Sequence, residues 1–434
     1  MAIMARHMAS SALVLASLHA SAEPAVPGTE QGTWSLLSRN FFLHNDFRHA
    51  PGAPQGYQRE WAQGFIATLE SGFTPGTVGL GIDAHGFLGI KLDGGRGHAG
   101  TGLLPHDSGG DNADDYADAG AAVKLRVGQS LLSYGEMTVQ TPVLDTGDKR
   151  LQPEYATGVL LDSQEREGLR LQAGRFTRFK RQNGSSGHDD FAGYGATTEG
   201  AALGFAGATF APGNGLGTAV YLAQLDDTWR QGYLNLNLAQ GPWSLDGNLY
   251  KTLDQGRARA GAIDTLAYSL QARYAFSGQA LSVAYQHIHG DTPFDFIGGD
   301  SIYLANSIKY ADFNGPHERS WQLRYDLDLA AFAIPGLTFM ARYVSGRNID
   351  GSHAPAGGAY NPWDRSSDSY QPLQGKGGRH WERDLDLRYT FSAGVAKDLS
   401  LSVSHVSHRG NRAQGGDDID RLYLVVEYPL NGWF

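Results

Sequence analysis

Along most of the chain, hydrophobic and polar residues alternate one by one. Successive side chains of a strand point to opposite faces, so strict alternation marks a strand with two chemically different faces. From Leu266 to Phe276, Leu266, Tyr268, Leu270, Ala272, Tyr274 and Phe276 share one face, and Ala267, Ser269, Gln271, Arg273 and Ala275 share the other. Ser277-Gly278-Gln279 then reads as a hairpin turn. Beyond it, Leu281, Val283 and Tyr285 alternate with Ser282, Ala284 and Gln286. The pattern recurs over Leu234–Leu238, Trp243–Leu249, Trp321–Leu329, Leu337–Tyr343, Leu385–Phe391 and Leu399–Val403.

A soluble β-sandwich also alternates, but two features favour a membrane barrel. Aromatic residues such as Trp243, Trp321, Tyr343 and Phe391 end the apolar faces, as interfacial girdles require. Short connections (277–279, 241–242, 335–336, 394–398) alternate with long polar ones such as 287–299 and 346–379, which is the arrangement of short periplasmic turns and long outer loops. At about 10 residues per strand, the chain yields roughly 16 to 18 strands. A barrel that wide leaves an aqueous channel unless loops fill it.

Composition agrees. Only 41% of residues are hydrophobic, yet there are 58 Gly, 20 Tyr and 19 Phe. No stretch after the first 22 residues approaches the ~20 continuous apolar residues of a membrane helix. The chain has no cysteine, which removes disulfides and thiolate metal sites. A formal net charge of −10 argues against a nucleic-acid partner.

Residues 1–22 read as a secretory signal peptide. Arg6 and His7 form the basic region, Met8 to Leu18 the apolar core, and Ala20-Ser21-Ala22 the cleavage site. Residues 23–434 are expected to form one barrel domain, with the Gly-, Pro- and Ser-rich stretch Gly351–Gly378 as an outer loop rather than a linker. In the last segment Leu422, Leu424, Val426, Tyr428 and Leu430 share a face, and the sequence closes on Phe434. That amphipathic strand with a terminal aromatic resembles the signal read by the outer-membrane assembly machinery.

Several ordered stretches carry a family resemblance: Ser38-Arg39-Asn40-Phe41, Leu69-Glu70-Ser71-Gly72-Phe73-Thr74, Gly89-Ile90-Lys91-Leu92-Asp93-Gly94, Thr101-Gly102-Leu103-Leu104-Pro105 and Gly135-Glu136-Met137. The most specific runs from Gly299-Asp300-Ser301-Ile302-Tyr303-Leu304-Ala305-Asn306-Ser307 into Asp312-Phe313-Asn314-Gly315-Pro316. Ile334 to Met340 and Glu427-Tyr428-Pro429-Leu430 complete the set. With them the chain resembles the OprD-type substrate-specific porins. The resemblance implies an all-β fold: a transmembrane antiparallel barrel of about 18 strands, with loops folded into the lumen. It implies a monomer in the Gram-negative outer membrane, in contact with lipid and lipopolysaccharide, and passive uptake of small carboxylate-bearing solutes such as amino acids or organic and aromatic acids. No enzymatic activity, cofactor or metal is expected.

In this family a basic ladder lines one wall and guides the carboxylate. Lys124 and Arg126 match ladder positions, and alternation in Ala121–Val127 turns both inward; a cation facing lipid at the midplane costs about 2–4 kcal/mol. Arg39 and Arg59 match as well, their direction resting on the resemblance. Arg170, Arg273, Arg324, Arg342 and Arg388 are inward by alternation alone. Arginine suits carboxylate capture through paired hydrogen bonds; the competing role is to neutralise inward acids such as Asp326, Asp328 and Asp386. The acidic segment Thr101–Gly120, with Asp107, Asp111, Asp114 and Asp115, resembles the constriction loop; otherwise it is a solvated outer loop. Its spacing lacks the EF-hand calcium pattern. Asp295, Asp300 and Ser301 match the family's other inward loop.

Two departures qualify the match. The most C-terminal basic rungs of the family appear here as Ser402, Ser404 and Tyr423. The segment between Phe296 and Asp300 is shorter than in familiar members. Together they shift the expected selectivity toward Lys124, Arg126 and the inward loops. Two other readings share a barrel: an outer-membrane protease or phospholipase, for which His405 and His408 lie near serines but without a nucleophile motif, and a plugged adhesin.

Overall fold

The computed structural model describes residues 31–49, 56–106, 109–191, 193–195 and 198–434. The signal-peptide segment lies outside them. Eighteen strands form one antiparallel sheet: β1 (Thr33–His49), β2 (Tyr57–Glu70), β3 (Val78–Asp93), β4 (Asp115–Val127), β5 (Ser130–Met137), β6 (Tyr155–Arg166), β7 (Leu169–Lys180), β8 (Leu203–Phe210), β9 (Leu216–Leu225), β10 (Trp229–Gln240), β11 (Trp243–Asp254), β12 (Asp264–Phe276), β13 (Gln279–His289), β14 (Arg319–Asp328), β15 (Leu337–Asp350), β16 (Lys376–Thr390), β17 (Ser400–Gly410) and β18 (Asp418–Trp433). Each pairs with the next, and β1 pairs with β18 from Thr33↔Trp433 to His49↔Asp418, closing the barrel. Closure leaves no edge strand with unpaired backbone groups in lipid.

Turn chemistry sets the registers at one end. Ser277 (φ 45°) and Gly278 (φ 74°) form a two-residue turn with both residues left-handed, the geometry that matches strand twist. Between β10 and β11, Gly241 (φ 58°) before Pro242 makes the other favoured two-residue turn, left-handed at its first residue only. Leu329, expected at a strand end, instead opens a single 3-10 turn (Leu329–Phe332) whose first turn is capped by Asp328.

The outward face carries two aromatic rows. Trp243, Tyr274 and Phe276, with Tyr389 and Phe391, ring the short-turn end. Tyr285, Trp321, Tyr343 and Trp381 ring the long-loop end. On β16, Trp381 and Tyr389 lie eight residues apart, or about 26 Å along the strand. Tilting reduces that to the height of an outer-membrane apolar band.

The lumen is not uniformly wet. Against β7–β12, Phe176, Phe205, Trp229, Tyr233 and Tyr250 are buried with Val139, Val143, Leu144, Phe294 and Ile297 from two inward loops. A second apolar cluster joins Phe41, Leu43, Phe87 and Tyr116 to Leu103, Leu104 and Leu151. These clusters fill part of the cross-section and leave a polar passage beside β12–β18.

Candidate functional site

Two loops narrow the lumen, residues 138–154 and 290–318. They are bound to each other before they are bound to the wall. Asp145 donates its N–H to Ser301 Oγ (2.7 Å), and Tyr303 Oη donates to Asp145 Oδ2 (2.5 Å). Glu154 Oε2 accepts from the N–H groups of Gly147 (2.8 Å) and Gly299 (2.7 Å). Burial pushes the Glu154 carboxyl up to about 7, although those donors oppose the rise. Lys149 pairs with Asp300 and donates to Gly299 O at 3.1 Å. Farther on, the backbone N–H groups of Tyr310 and Ala311 donate to the Glu382 carboxylate at 3.0 and 2.8 Å. That anchor turns Lys309 toward the lumen beside β16–β18.

The inward arginines of the C-terminal strands share one row of the sheet. Arg273 lies opposite Ser282, Ser282 opposite Arg324, and Arg324 opposite Arg342. The row continues through Asp384 and Val406 to Arg421. Because barrel strands tilt, a row perpendicular to them climbs as it goes round. It starts three residues from the short-turn end of β12 and reaches Arg421 three residues from the long-loop end of β18. The row is therefore a basic staircase running the length of the lumen. Arg324 pairs with Asp326 (2.7 Å) and Arg342 with Asp384 (2.5 Å); Arg273 makes no ion pair among the described residues.

The neighbouring row carries the family departures. Asp386, Ser404 and Tyr423 are successive partners. Lys309 reaches all three: Asp386 at 3.2 Å, Ser404 Oγ at 3.2 Å and the Tyr423 ring at 5.5 Å. Arg421 donates to Tyr423 Oη (3.3 Å) and stacks 4.4 Å over Tyr310. On the other side, Arg388 donates to Ser400 Oγ (3.1 Å) and lies 3.7 Å from Glu427. Cations from a loop and from flanking rows thus surround the positions where wall rungs are missing.

The other predicted residues sit differently. Arg39 faces inward but is buried, held by Asp148 at 2.6 Å, Glu427 at 2.8 Å and the Arg150 carbonyl. Lys124 is also inward and buried, paired with Asp83 and lying 5.0 Å from the Phe73 ring. Arg126 stacks on the same ring at 4.5 Å, at the short-turn end. The expected inward direction of Arg59 does not hold. Buried Glu60 and Ala62 point inward, so Arg59 falls on the outer face, where it pairs with Asp93 at 3.1 Å. Arg170 is inward and paired with Asp162.

The constriction loop is also reassigned. Asp107 lies outside the described residues. Asp111, Asp114 and Asp115 are exposed on the outer side, Asp114 paired with Lys91. What enters the lumen is the preceding stretch. The Glu60 carboxylate takes the N–H groups of Gly100, Thr101, Leu103 and Leu104 together with the Thr101 hydroxyl, pulling that turn inside. The loop that narrows the passage is 138–154, whose length and composition gave no distinct signal. Asp118, on β4, faces inward to Lys180. Asp300 does reach the constriction. Asp295 is fully buried, its carboxyl pushed up to about 7 by burial, and Ser301 is a buried tie between loops rather than a lining group.

A hydrolytic site is not assembled from the two histidines. His405 faces outward, alternating with buried Ser404 and Val406. His408 spends its nitrogens on His380 (2.8 Å) and the Asp417 carbonyl (2.7 Å), so neither is left for a nucleophile.

Comparison with known proteins agrees with this architecture. A family model described as outer membrane porin, OprD family, matches residues 29–432. Porin D of Pseudomonas aeruginosa is 42% identical over 417 residues, covering 93% of this chain and 91% of that protein. The crystal structure of OccK9 (OpdG) from the same species superposes with a TM-score of 0.82 at 35% identity, covering 92% of this chain and 98% of that one. The structure of its OpdK with vanillate gives 0.80 at 34% identity, with 92% and 99% coverage. Members of this family are channels, not enzymes. Family match, closed eighteen-stranded barrel and charged passage coincide: the chain belongs to the OprD family of substrate-specific outer-membrane porins.

Proposed function

We propose that this porin conducts small carboxylate-bearing solutes, amino acids or organic and aromatic acids, along the β12–β18 staircase. The observation that carries the reading is the ring of Lys309, Arg421 and Arg388 around Ser402, Ser404 and Tyr423. A carboxylate arriving from the long-loop end meets Arg421, passes Lys309 and Arg388, and leaves past Arg324 and Arg273. Apart from Arg273, each cation already meets a carboxylate or hydroxyl, so a solute exchanges partners rather than binding a bare charge. That keeps binding weak enough for release, a condition of conduction. Lys149 and Asp300 form the opposite rim and supply a partner for a cationic group on an amino acid. OpdK, to which this chain is similar, is named with vanillate, an aromatic carboxylate. Half-buried Tyr310, beside the cations, offers a flat face to such a ring. The barrel acts as a monomer, residues 1–22 direct export, and the strand ending at Phe434 is read during assembly.

The test is a planar-bilayer reversal potential in a KCl gradient, with liposome uptake of benzoate and of arginine. Anion preference and benzoate uptake that both fall in Lys309→Gln/Arg388→Gln support the reading. A cation-preferring wild-type channel that the double change leaves untouched overturns it.

A further inference from the structure

The outer wall carries arginines that the transport pathway does not use. Arg319 on β14 and Arg347 on β15 are direct cross-strand partners, and both are exposed on the lipid-facing side. Like charges placed directly opposite destabilise a sheet. On the next strand Arg379 and Arg383 are outward and exposed as well. None of the four forms an ion pair among the described residues; Arg383 reaches only Ser407 Oγ, at 3.4 Å.

Their depth is fixed by the aromatic girdle. Arg319 lies two residues beyond Trp321 toward the long-loop end, and Arg379 lies two residues beyond Trp381. Arg383 sits opposite Tyr343. Indole and phenol rings mark the interface between apolar core and headgroups. The arginines therefore stand at the headgroup level of the outer leaflet, on three adjacent strands. A guanidinium at that depth costs only about 0–1 kcal/mol and lies within reach of headgroup anions. Arginine forks match phosphate oxygens in paired hydrogen bonds.

We infer that this patch is a docking site for the phosphate-bearing sugar headgroup of lipopolysaccharide. The like-charged Arg319–Arg347 pair is the seat of one phosphate, and Arg379 and Arg383 hold a second contact one strand away. The acyl chains then lie over the apolar band below the girdle. A lipid so held covers the wall of β14–β16, the strands behind the staircase.

The experiment uses the intact porin in phosphatidylcholine nanodiscs. Retention of bisphosphoryl lipid A is compared with that of the same lipid lacking both phosphates, by native mass spectrometry. The expected result is at least tenfold greater retention of the phosphorylated form, lost in Arg319→Gln/Arg347→Gln/Arg379→Gln/Arg383→Gln while single-channel conductance stays at the wild-type value. Equal retention of the two lipids by the wild-type protein overturns the inference. So does undiminished discrimination in the variant.

Discussion

On the inner face of β1–β4, Arg39 and Lys124 have side chains only 7% and 5% exposed, each locked to a carboxylate. Beside β12–β18, Lys309, Arg388 and Arg324 keep about a third of their side-chain surface open, at 32%, 32% and 31%. Both regions point cations into the same lumen, by strand alternation for all but Lys309, which a loop carries there. They differ in what covers them. The loop 138–154 and the Thr101 turn press against the N-terminal wall and Asp148 closes over Arg39, while Asp83, the Ser71 carbonyl and the Phe73 ring enclose Lys124. Loop 290–318 covers the long-loop half of the C-terminal wall through Ser269, Gln286, Ser320, Gln322 and Glu382, and Arg324 and Arg388, toward the short-turn end, stay partly open. An inward cation is a structural tie in the first region; in the second it is the solute contact we propose.

The largest expected effect strikes the N-terminal side through stability. Arg39→Gln leaves Asp148 and Glu427 without their shared cation, and breaking a buried pair on one side costs about 3–5 kcal/mol. Thermal unfolding should start at a lower temperature and single-channel recordings should become noisier as loop 138–154 loosens. If Arg39→Gln instead abolished anion preference in a channel of normal stability, the contrast between the regions would be wrong.

Next comes selectivity on the C-terminal side. One accessible charge near a permeating ion is worth about 1 kcal/mol. Lys309→Gln/Arg388→Gln, removing two such charges, should thus lower the anion-to-cation permeability ratio by roughly thirtyfold, with little change in unfolding temperature, as measured by reversal potentials.

A smaller effect concerns the loop ties. The folded Glu154 carboxyl sits above its ordinary value of 4.5, at about 7. The folded state therefore holds the proton more tightly, and the associated stability is present at low pH and lost as pH rises through about 7. Unfolding temperature should fall from about pH 5 to about pH 7 and level off above that, and Glu154→Gln should flatten that dependence. A steeper fall in the variant would contradict this origin.

The smallest effect is expected at Lys124. Lys124→Gln should change benzoate uptake by less than about twofold, because a paired, covered cation offers a solute little. A loss comparable with that of the Lys309 variant would restore the N-terminal wall as a selectivity element.

Much of the pathway was legible in the sequence. Alternation alone turned Arg273, Arg324, Arg342 and Arg388 inward, and the outward run of Leu422, Leu424 and Val426 implies inward Arg421 and Glu427. Arg59 failed because its segment alternates poorly, so only buried Glu60 reveals its phase. Lys149, Arg150 and Lys309 were missed because loop residues have no periodicity to read.

Alternation, girdle aromatics and turn residues determined the barrel, its strands and which side chains face the lumen, because each is a local consequence of a period of two. They could not say which inward charges meet solute. That depends on strand tilt aligning Arg273, Arg324, Arg342 and Arg421 in one climbing row, and on two loops, joined through Asp145, Glu154 and Ser301, covering the N-terminal wall and the long-loop half of the C-terminal wall. The ties between the loops join residues 156 and 145 positions apart, and only the closed barrel brings them together.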